Sequence, residues 1–133
     1  NNLIDKLSCR VKFNQNFPKQ IDSRTRPDFQ VIINKELKLV IEFDGVQHFE
    51  TGTKFTKTCE DLNQIQKLDN LKNDLLIENR ISILRISHSK TQNIKDILRS
   101  CLSRVLKGEI LFELYGEEYS KDYQNHNFFK VLE

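Results

Sequence analysis

Hydrophobic and polar residues follow one another in short runs that predict three strands in the first third of the chain. Segment 11–17 alternates apolar and polar side chains, whereas segments 29–33 and 37–43 are mostly apolar. Alternation and short apolar runs are both typical of strands, and a mostly apolar run indicates burial on at least one face. We therefore expect strands at these three positions, with the last two joined by the short polar connection 34–36.

Two later segments carry apolar residues at three- and four-residue spacing, which is typical of helices with one buried face. The first predicts a helix over 59–78 that buries an apolar stripe: Leu62, Ile65, Leu68, Leu71, Leu75 and Leu76. Asn79 is expected to close this helix in the left-handed conformation. The second predicts a helix over 91–107 that stops at Gly108. Between the two helices, the run ISILRI at 81–86 predicts a buried strand.

The order β-β-β-α-β-α predicts an α/β fold in which helices flank a central mixed sheet of about four strands. A chain of 133 residues is long enough for one domain with a substantial core. We assign residues 1–108 to this core. Residues 109–133 are interpreted as a C-terminal extension that packs on the core or on a partner, with 110–115 forming a helix or a strand.

Charge and hydropathy narrow the classes of function. The net charge of +2 does not by itself indicate a nucleic-acid-binding protein. Positive residues nevertheless predominate in the first 26 positions, which suits a phosphate-backbone substrate, although a solvated basic face is the commoner meaning of such residues. No apolar run approaches the ~18 residues of a membrane span, so we expect no membrane partner.

The three cysteines, Cys9, Cys59 and Cys101, are far apart in the chain and form no CxxC pair. This spacing indicates neither a disulfide framework nor a zinc knuckle. We therefore expect a reducing compartment, either the cytoplasm or the nucleus.

Three carboxylates lie within or directly beside the apolar strands predicted at 29–33 and 37–43. Glu42 and Asp44 are two residues apart, so their side chains point to the same face of a strand. Asp28 lies at the adjoining end of the neighbouring strand. Packing carboxylates together is costly unless a cation neutralises them, and Mg²⁺ prefers oxygen ligands. The pattern predicts a metal-dependent hydrolytic site, whereas the alternative is an exposed strand face beside an ordinary turn residue.

The wider pattern resembles a known family. RPDF at 26–29, LVIEFDGVQHF at 39–49, the Asp-x-x-Lys pair at 69–72 and ISILRI at 81–86 are similar to the PD-(D/E)xK nuclease superfamily. The similarity is to the branch of very-short-patch-repair and phage-type homing endonucleases, and it covers 11–87. It implies a restriction-endonuclease-like core, Mg²⁺ or substituting Mn²⁺ as cofactor, hydrolysis of phosphodiester bonds in double-stranded DNA, and a phage or virus origin.

Carried over residue by residue, the resemblance implies a role for each candidate. Asp28 matches the metal-binding aspartate and Glu42 the acidic position of the Glu-x-Lys element. Asp44 stands where the superfamily usually has lysine, and we assign it as the third metal ligand. His48 resembles the histidine that helps to activate the attacking water. Lys72 matches a helix lysine and is the candidate for the missing cation.

The resemblance also implies contacts with DNA from basic and amide side chains around the strand end: Arg24, Arg26, Gln47, Lys54 and Lys57. Cutting both strands of a duplex would require a homodimer or a higher homo-oligomer. Asp69 and Lys72 share a helix face because they are three residues apart, although a surface ion pair is the simpler interpretation.

Three alternatives stay open from the sequence. The first is a junction resolvase or restriction-type nuclease on the same fold, since fold alone does not select the substrate. The second is a catalytically inactive DNA-binding module. The third is an α/β protein with no role in nucleic-acid chemistry.

Overall fold

The computed structural model describes residues 9–18, 26–53, 57–119 and 130–132. Within them six strands and two α-helices follow one another as β1 Cys9–Phe13, β2 Phe29–Ile33, β3 Glu36–Asp44, α1 Cys59–Glu78, β4 Ser82–Ser87, α2 Ile94–Leu106, β5 Phe112–Tyr115 and β6 Lys130–Leu132. Two 3-10 helices, Val46–His48 and His88–Asn93, follow β3 and β4. The predicted α/β class, with the order β-β-β-α-β-α, is confirmed. In this part of the chain neither helix combines the length and the apolar character that a membrane span requires.

The strands form one mixed sheet in the order β1-β2-β3-β4-β5-β6. β1, β2 and β3 pair antiparallel, whereas β3, β4, β5 and β6 are parallel neighbours. The prediction of about four strands was too low, because segments from the predicted C-terminal extension add β5 and β6 to the sheet. The division of the chain at residue 108 stays a prediction.

The two faces of the sheet carry different side chains. Alternation along β3 turns Leu39 and Ile41 toward α2, where they join an apolar core: Val31, Ile33, Leu84, Ile86, Cys101, Val105 and Leu111. Val40 points to the other face and packs with Leu76 of α1. Glu42 and Asp44 follow Val40 on that face and are buried. These two carboxylates therefore lie on the face of the sheet that α1 covers.

The bounds predicted for α1 are confirmed, but the predicted buried face is wrong in part. Leu68 and Leu71 are 56% and 52% exposed. The fully buried positions of α1 are Asp69, Asn73 and Leu76. The helix is rotated relative to the expectation because its inner face supplies polar partners to the buried arginine and histidine described below.

The N-terminus of α1 is closed by a capping box between Thr58 and Asp61, each side chain accepting from the other's backbone N–H. We expect Thr58→Ala to lower the free energy of unfolding by about 1 kcal/mol, because a backbone N–H loses its acceptor. Urea unfolding measures this change. Thr58→Ser keeps the hydroxyl and should stay within about 0.5 kcal/mol of the natural protein, so an equal loss in both variants would contradict the capping role.

Several boundaries differ from expectation, those of β3 and β4 by one residue at each end. The chain leaves α1 in the left-handed conformation at Arg80, with φ 55°, rather than at Asn79, whose φ is −88°. β1 ends at Phe13 instead of residue 17, because Asn14 with φ 50° turns the chain. α2 begins at Ile94 rather than residue 91, since the 3-10 helix precedes it, and it ends before Gly108 as predicted.

Candidate functional site

Asp44 and Arg85 form a buried ion pair where β3 and β4 end. Arg85 is fully buried, and its Nη1 donates to Asp44 Oδ1 and Oδ2 at 2.9 and 3.0 Å. The rest of the guanidinium is also satisfied, because Nε donates to Asn73 Oδ1 at 2.8 Å and Nη2 to the Asp69 carbonyl at 3.3 Å. A fully buried arginine requires such partners. The sheet thus fixes the position of the Asp44 carboxylate.

His48 lies beside this pair because the 3-10 helix after Gly45 folds back over the end of β3. Its Nδ1 is 2.6 Å from Asp69 Oδ2 and 3.6 Å from Asp44 Oδ1. Burial opposes protonation, but the hydrogen bond to Asp69 and the charges of Asp44 and Asp69 outweigh it and raise the pKa of His48. An Nδ1–H that donates to Asp69 leaves the lone pair of the neutral ring on Nε2.

A second group of side chains lies next to the first. Glu42 Oε1 accepts from the Asp28 backbone N–H at 3.2 Å and lies 3.4 Å from Lys72 Nζ. Asp28 Oδ2 accepts from the Phe43 N–H at 2.8 Å. Burial raises the pKa of Glu42 and outweighs the nearby positive charges of Arg85 and Lys72. Of the predicted residues, Glu42 therefore contacts both Asp28 and Lys72.

Tyr119, from the predicted C-terminal extension, completes the surroundings of Asp44. Its hydroxyl donates to Asp44 Oδ2 at 2.6 Å, and its ring packs edge-on against Phe49 with centroids 5.1 Å apart. We expect Tyr119→Phe to lower the free energy of unfolding by about 1.5–3 kcal/mol, since a buried charged acceptor loses a donor. Equilibrium urea unfolding measures the change, and an unaltered stability would contradict the assigned hydrogen bond.

A divalent cation fits the chemistry of this strand end. Asp44, His48 and Asp69 each offer a ligand atom, and these atoms all lie within 4.8 Å of one another. The ligands predicted from the sequence were Asp28, Glu42 and Asp44, and this cluster shares only Asp44 with them. The predicted ligand set therefore stays a prediction. The three hydrogen bonds that Asp44 accepts from Arg85 and Tyr119 leave capacity on an ionised carboxylate, which has about four lone-pair sites.

Charge supports the same fit. Four carboxylates, those of Asp28, Glu42, Asp44 and Asp69, meet two cations, Arg85 and Lys72. The acidic groups outnumber these two cations, and a divalent ion would add positive charge beside them. Oxygen ligands of this type suit Mg²⁺ and Mn²⁺.

The residues predicted to contact DNA are only partly described. Arg26 and Lys57 are exposed. Gln47 is half-buried and its carboxamide folds over Gly45, where an added Cβ would lie 2.5 Å from Gln47 Oε1. Arg24 and Lys54 lie outside the described residues.

Three residues of the site were not assigned to it from the sequence: Asp69, Arg85 and Tyr119. Asp69 was noted only as part of the Asp-x-x-Lys pair, and its burial replaces the expected surface position. The alternation of ISILRI already turned Arg85 away from Leu84 and Ile86, and a charged residue within a buried strand is a signal for a buried partner. Tyr119 carried no comparable local signal.

Comparison of the chain with protein-family models, with curated protein sequences and with solved structures finds no significant match.

Proposed function

We propose that this protein is a metal-dependent endonuclease that hydrolyses phosphodiester bonds in DNA. The observation that carries the proposal is the convergence of Asp44, His48 and Asp69, with ligand atoms within 4.8 Å of one another, beside the contacting residues Glu42 and Lys72. Carboxylates, a histidine and a lysine at one strand end are the groups that hydrolysis of a phosphodiester requires.

We assign Asp44 as a metal ligand, because it belongs both to the ligands predicted from the sequence and to the cluster of Asp44, His48 and Asp69 in the structure. A divalent cation held there would supply positive charge to the phosphodiester and to the attacking water. Arg85 and Tyr119 hold the Asp44 carboxylate in one orientation. Such preorganisation is favourable because no side chain has to move when the substrate arrives.

His48 acts in this proposal as the general base. Asp69 accepts the Nδ1–H at 2.6 Å and so fixes both the ring and its tautomer. Nε2 is then available to take the proton of the attacking water. The short Nδ1 contact favours this role over direct ligation of a metal by the same nitrogen.

Lys72 supplies positive charge next to Glu42, as the resemblance to PD-(D/E)xK nucleases implies. Its Nζ lies 3.4 Å from Glu42 Oε1 and 3.3 Å from the Arg26 carbonyl. Charge that builds on the phosphate oxygens in the transition state is stabilised by such a cation. A homing-type or repair-type nuclease, a junction resolvase and a restriction-type enzyme all fit these roles, so the substrate must distinguish them.

One observation favours a second candidate, a DNA-binding module without catalysis. The guanidinium of Arg85 makes two hydrogen bonds to Asp44, so the protein itself already neutralises this carboxylate. A carboxylate held in this way can serve folding alone.

The test is incubation of supercoiled plasmid and of branched DNA with the protein in Mg²⁺, in Mn²⁺ and in excess chelator. We expect metal-dependent nicking or linearisation that falls by at least about tenfold in Glu42→Gln, because the neutral amide removes charge from the metal-binding end of β3. Glu36→Gln is the matched control, since Glu36 is an exposed glutamate on the same strand.

Equal cleavage by Glu42→Gln and the natural protein would reject the assigned site. Binding of DNA without cleavage under every metal condition would favour the inactive module instead. The preferred substrate, duplex or branched, would separate the homing-type from the resolvase-type enzyme.

A further inference from the structure

The outer face of α1 carries an apolar stripe. Leu68 and Leu71 are 56% and 52% exposed, and Leu75 continues the same side of the helix. With Gln64 these residues follow a spacing of four, three and four, which is the seam spacing of two packed helices. A contiguous apolar strip on a helix surface can mark the contact with a partner.

We propose that this stripe, defined by Leu68, Leu71 and Leu75, is the contact with a second copy of the chain, and that the two α1 helices pair antiparallel. α1 has 20 residues and is therefore about 30 Å long. That length allows the leucines of one copy to pack between those of the other in a self-complementary, two-fold contact.

Charge beside the stripe selects the second copy and the antiparallel direction. Lys67 and Asp74 flank the same side of the stripe and are exposed. In an antiparallel pair centred between Leu68 and Leu71, Lys67 of each copy faces Asp74 of the other, so two-fold symmetry forms the ion pair twice. In a parallel pair in register, Lys67 of one copy and Asp74 of the other stay seven residues apart along the helix axes, so this ion pair does not form.

This pairing would place the two candidate sites on opposite sides of the paired helices. Asp69 lies between Leu68 and Leu71 in the chain but points inward, so both Asp69 residues would lie at the level of the two-fold axis. The proposal does not rest on nuclease activity, because its test measures association. If the nuclease function holds, each dimer would carry two such sites.

The first experiment measures molecular mass by sedimentation across a wide range of protein concentration. We expect a monomer–dimer equilibrium in which Leu68→Glu combined with Leu71→Glu raises the dissociation constant by at least about 30-fold, the effect of losing a central interface residue. Ile110→Glu is the matched control, because Ile110 is another exposed apolar residue, 42% accessible, and should leave the constant unchanged.

A charge exchange tests the direction of pairing. Lys67→Asp and Asp74→Lys should each weaken the dimer, and the double variant should restore it, because the exchanged charges face each other again. Rescue by the double variant excludes misfolding as the cause of the single effects. A monomeric natural protein, a dimer insensitive to the leucine changes, or a double variant no tighter than the single variants would each overturn the proposal.

Discussion

Replacing Arg85 by methionine is expected to lower the free energy of unfolding by about 3–5 kcal/mol, because it leaves the buried Asp44 carboxylate without its countercharge. Arg85 is 0% exposed and donates to Asp44, to Asn73 and to the Asp69 carbonyl. Methionine fills part of the volume but donates no hydrogen bond. Urea unfolding followed by circular dichroism measures the change.

Arg99→Met is the control, since Arg99 is an exposed arginine on α2 and should change stability by less than about 0.5 kcal/mol. The loss of stability in Arg85→Lys should lie between those of Arg85→Met and Arg99→Met, because lysine keeps the charge but lacks the planar guanidinium that bonds both Asp44 and Asn73. A loss below about 1 kcal/mol in Arg85→Met would mean that the Asp44 charge is balanced elsewhere.

The same ion pair determines which variants can test catalysis. Asp44→Ala would remove the nearer carboxylate partner of the fully buried Arg85 and leave Asp69 Oδ1 at 3.6 Å, so we expect it to destabilise the fold strongly. Loss of cleavage in that variant would not distinguish a catalytic from a structural role. Glu42 and His48 are better positions at which to test catalysis by substitution, because Arg85 is not the main partner of either side chain.

Replacing His48 by alanine is expected to lower the rate of metal-dependent DNA cleavage by about 10²- to 10⁴-fold, the usual contribution of a general base. His48 lies on the 3-10 helix Val46–His48, and its side chain keeps 19% exposure, so the fold should tolerate the change. The measurement is the initial rate of plasmid nicking at saturating metal.

His88→Ala is the matched control, because His88 lies on the other 3-10 helix and its side chain is 41% exposed. Binding of Mn²⁺ to each variant should be measured by calorimetry. An affinity kept within a few-fold in His48→Ala supports the base, whereas a loss well beyond about 100-fold, more than a residue that only orients a ligand contributes, would identify His48 as a ligand instead. Cleavage at the natural rate would reject both roles.

Local pattern predicted most of the elements of this fold. The strand Phe29–Ile33 and the helix Cys59–Glu78 begin and end where the apolar run and the helical periodicity placed them. Both depend on neighbours in the chain: a short apolar run bounded by polar turns, and a helix preceded by Thr58. β5 and β6 were harder to predict, because their pairing depends on strands distant in the chain.

The rotation of α1 shows where hydrophobic periodicity was insufficient. Counting leucines placed Leu68 and Leu71 inside, yet Asp69 and Asn73 are the buried residues. A helix that covers an arginine must turn polar side chains toward it. Hydrophobic periodicity reflects the average preference of apolar residues for burial. It does not predict that a helix will turn polar side chains toward a particular buried charge.

By itself the sequence determined the α/β class, the strand that carries Glu42 and Asp44, and the nearby His48, because alternation and apolar runs act over a few residues. Only the tertiary structure decided the partners of those side chains. Arg85 is 41 residues from Asp44 along the chain and Tyr119 is 75 residues away. A buried charge is stabilised by whichever groups the fold brings within hydrogen-bonding distance, and spacing in the sequence does not encode that distance.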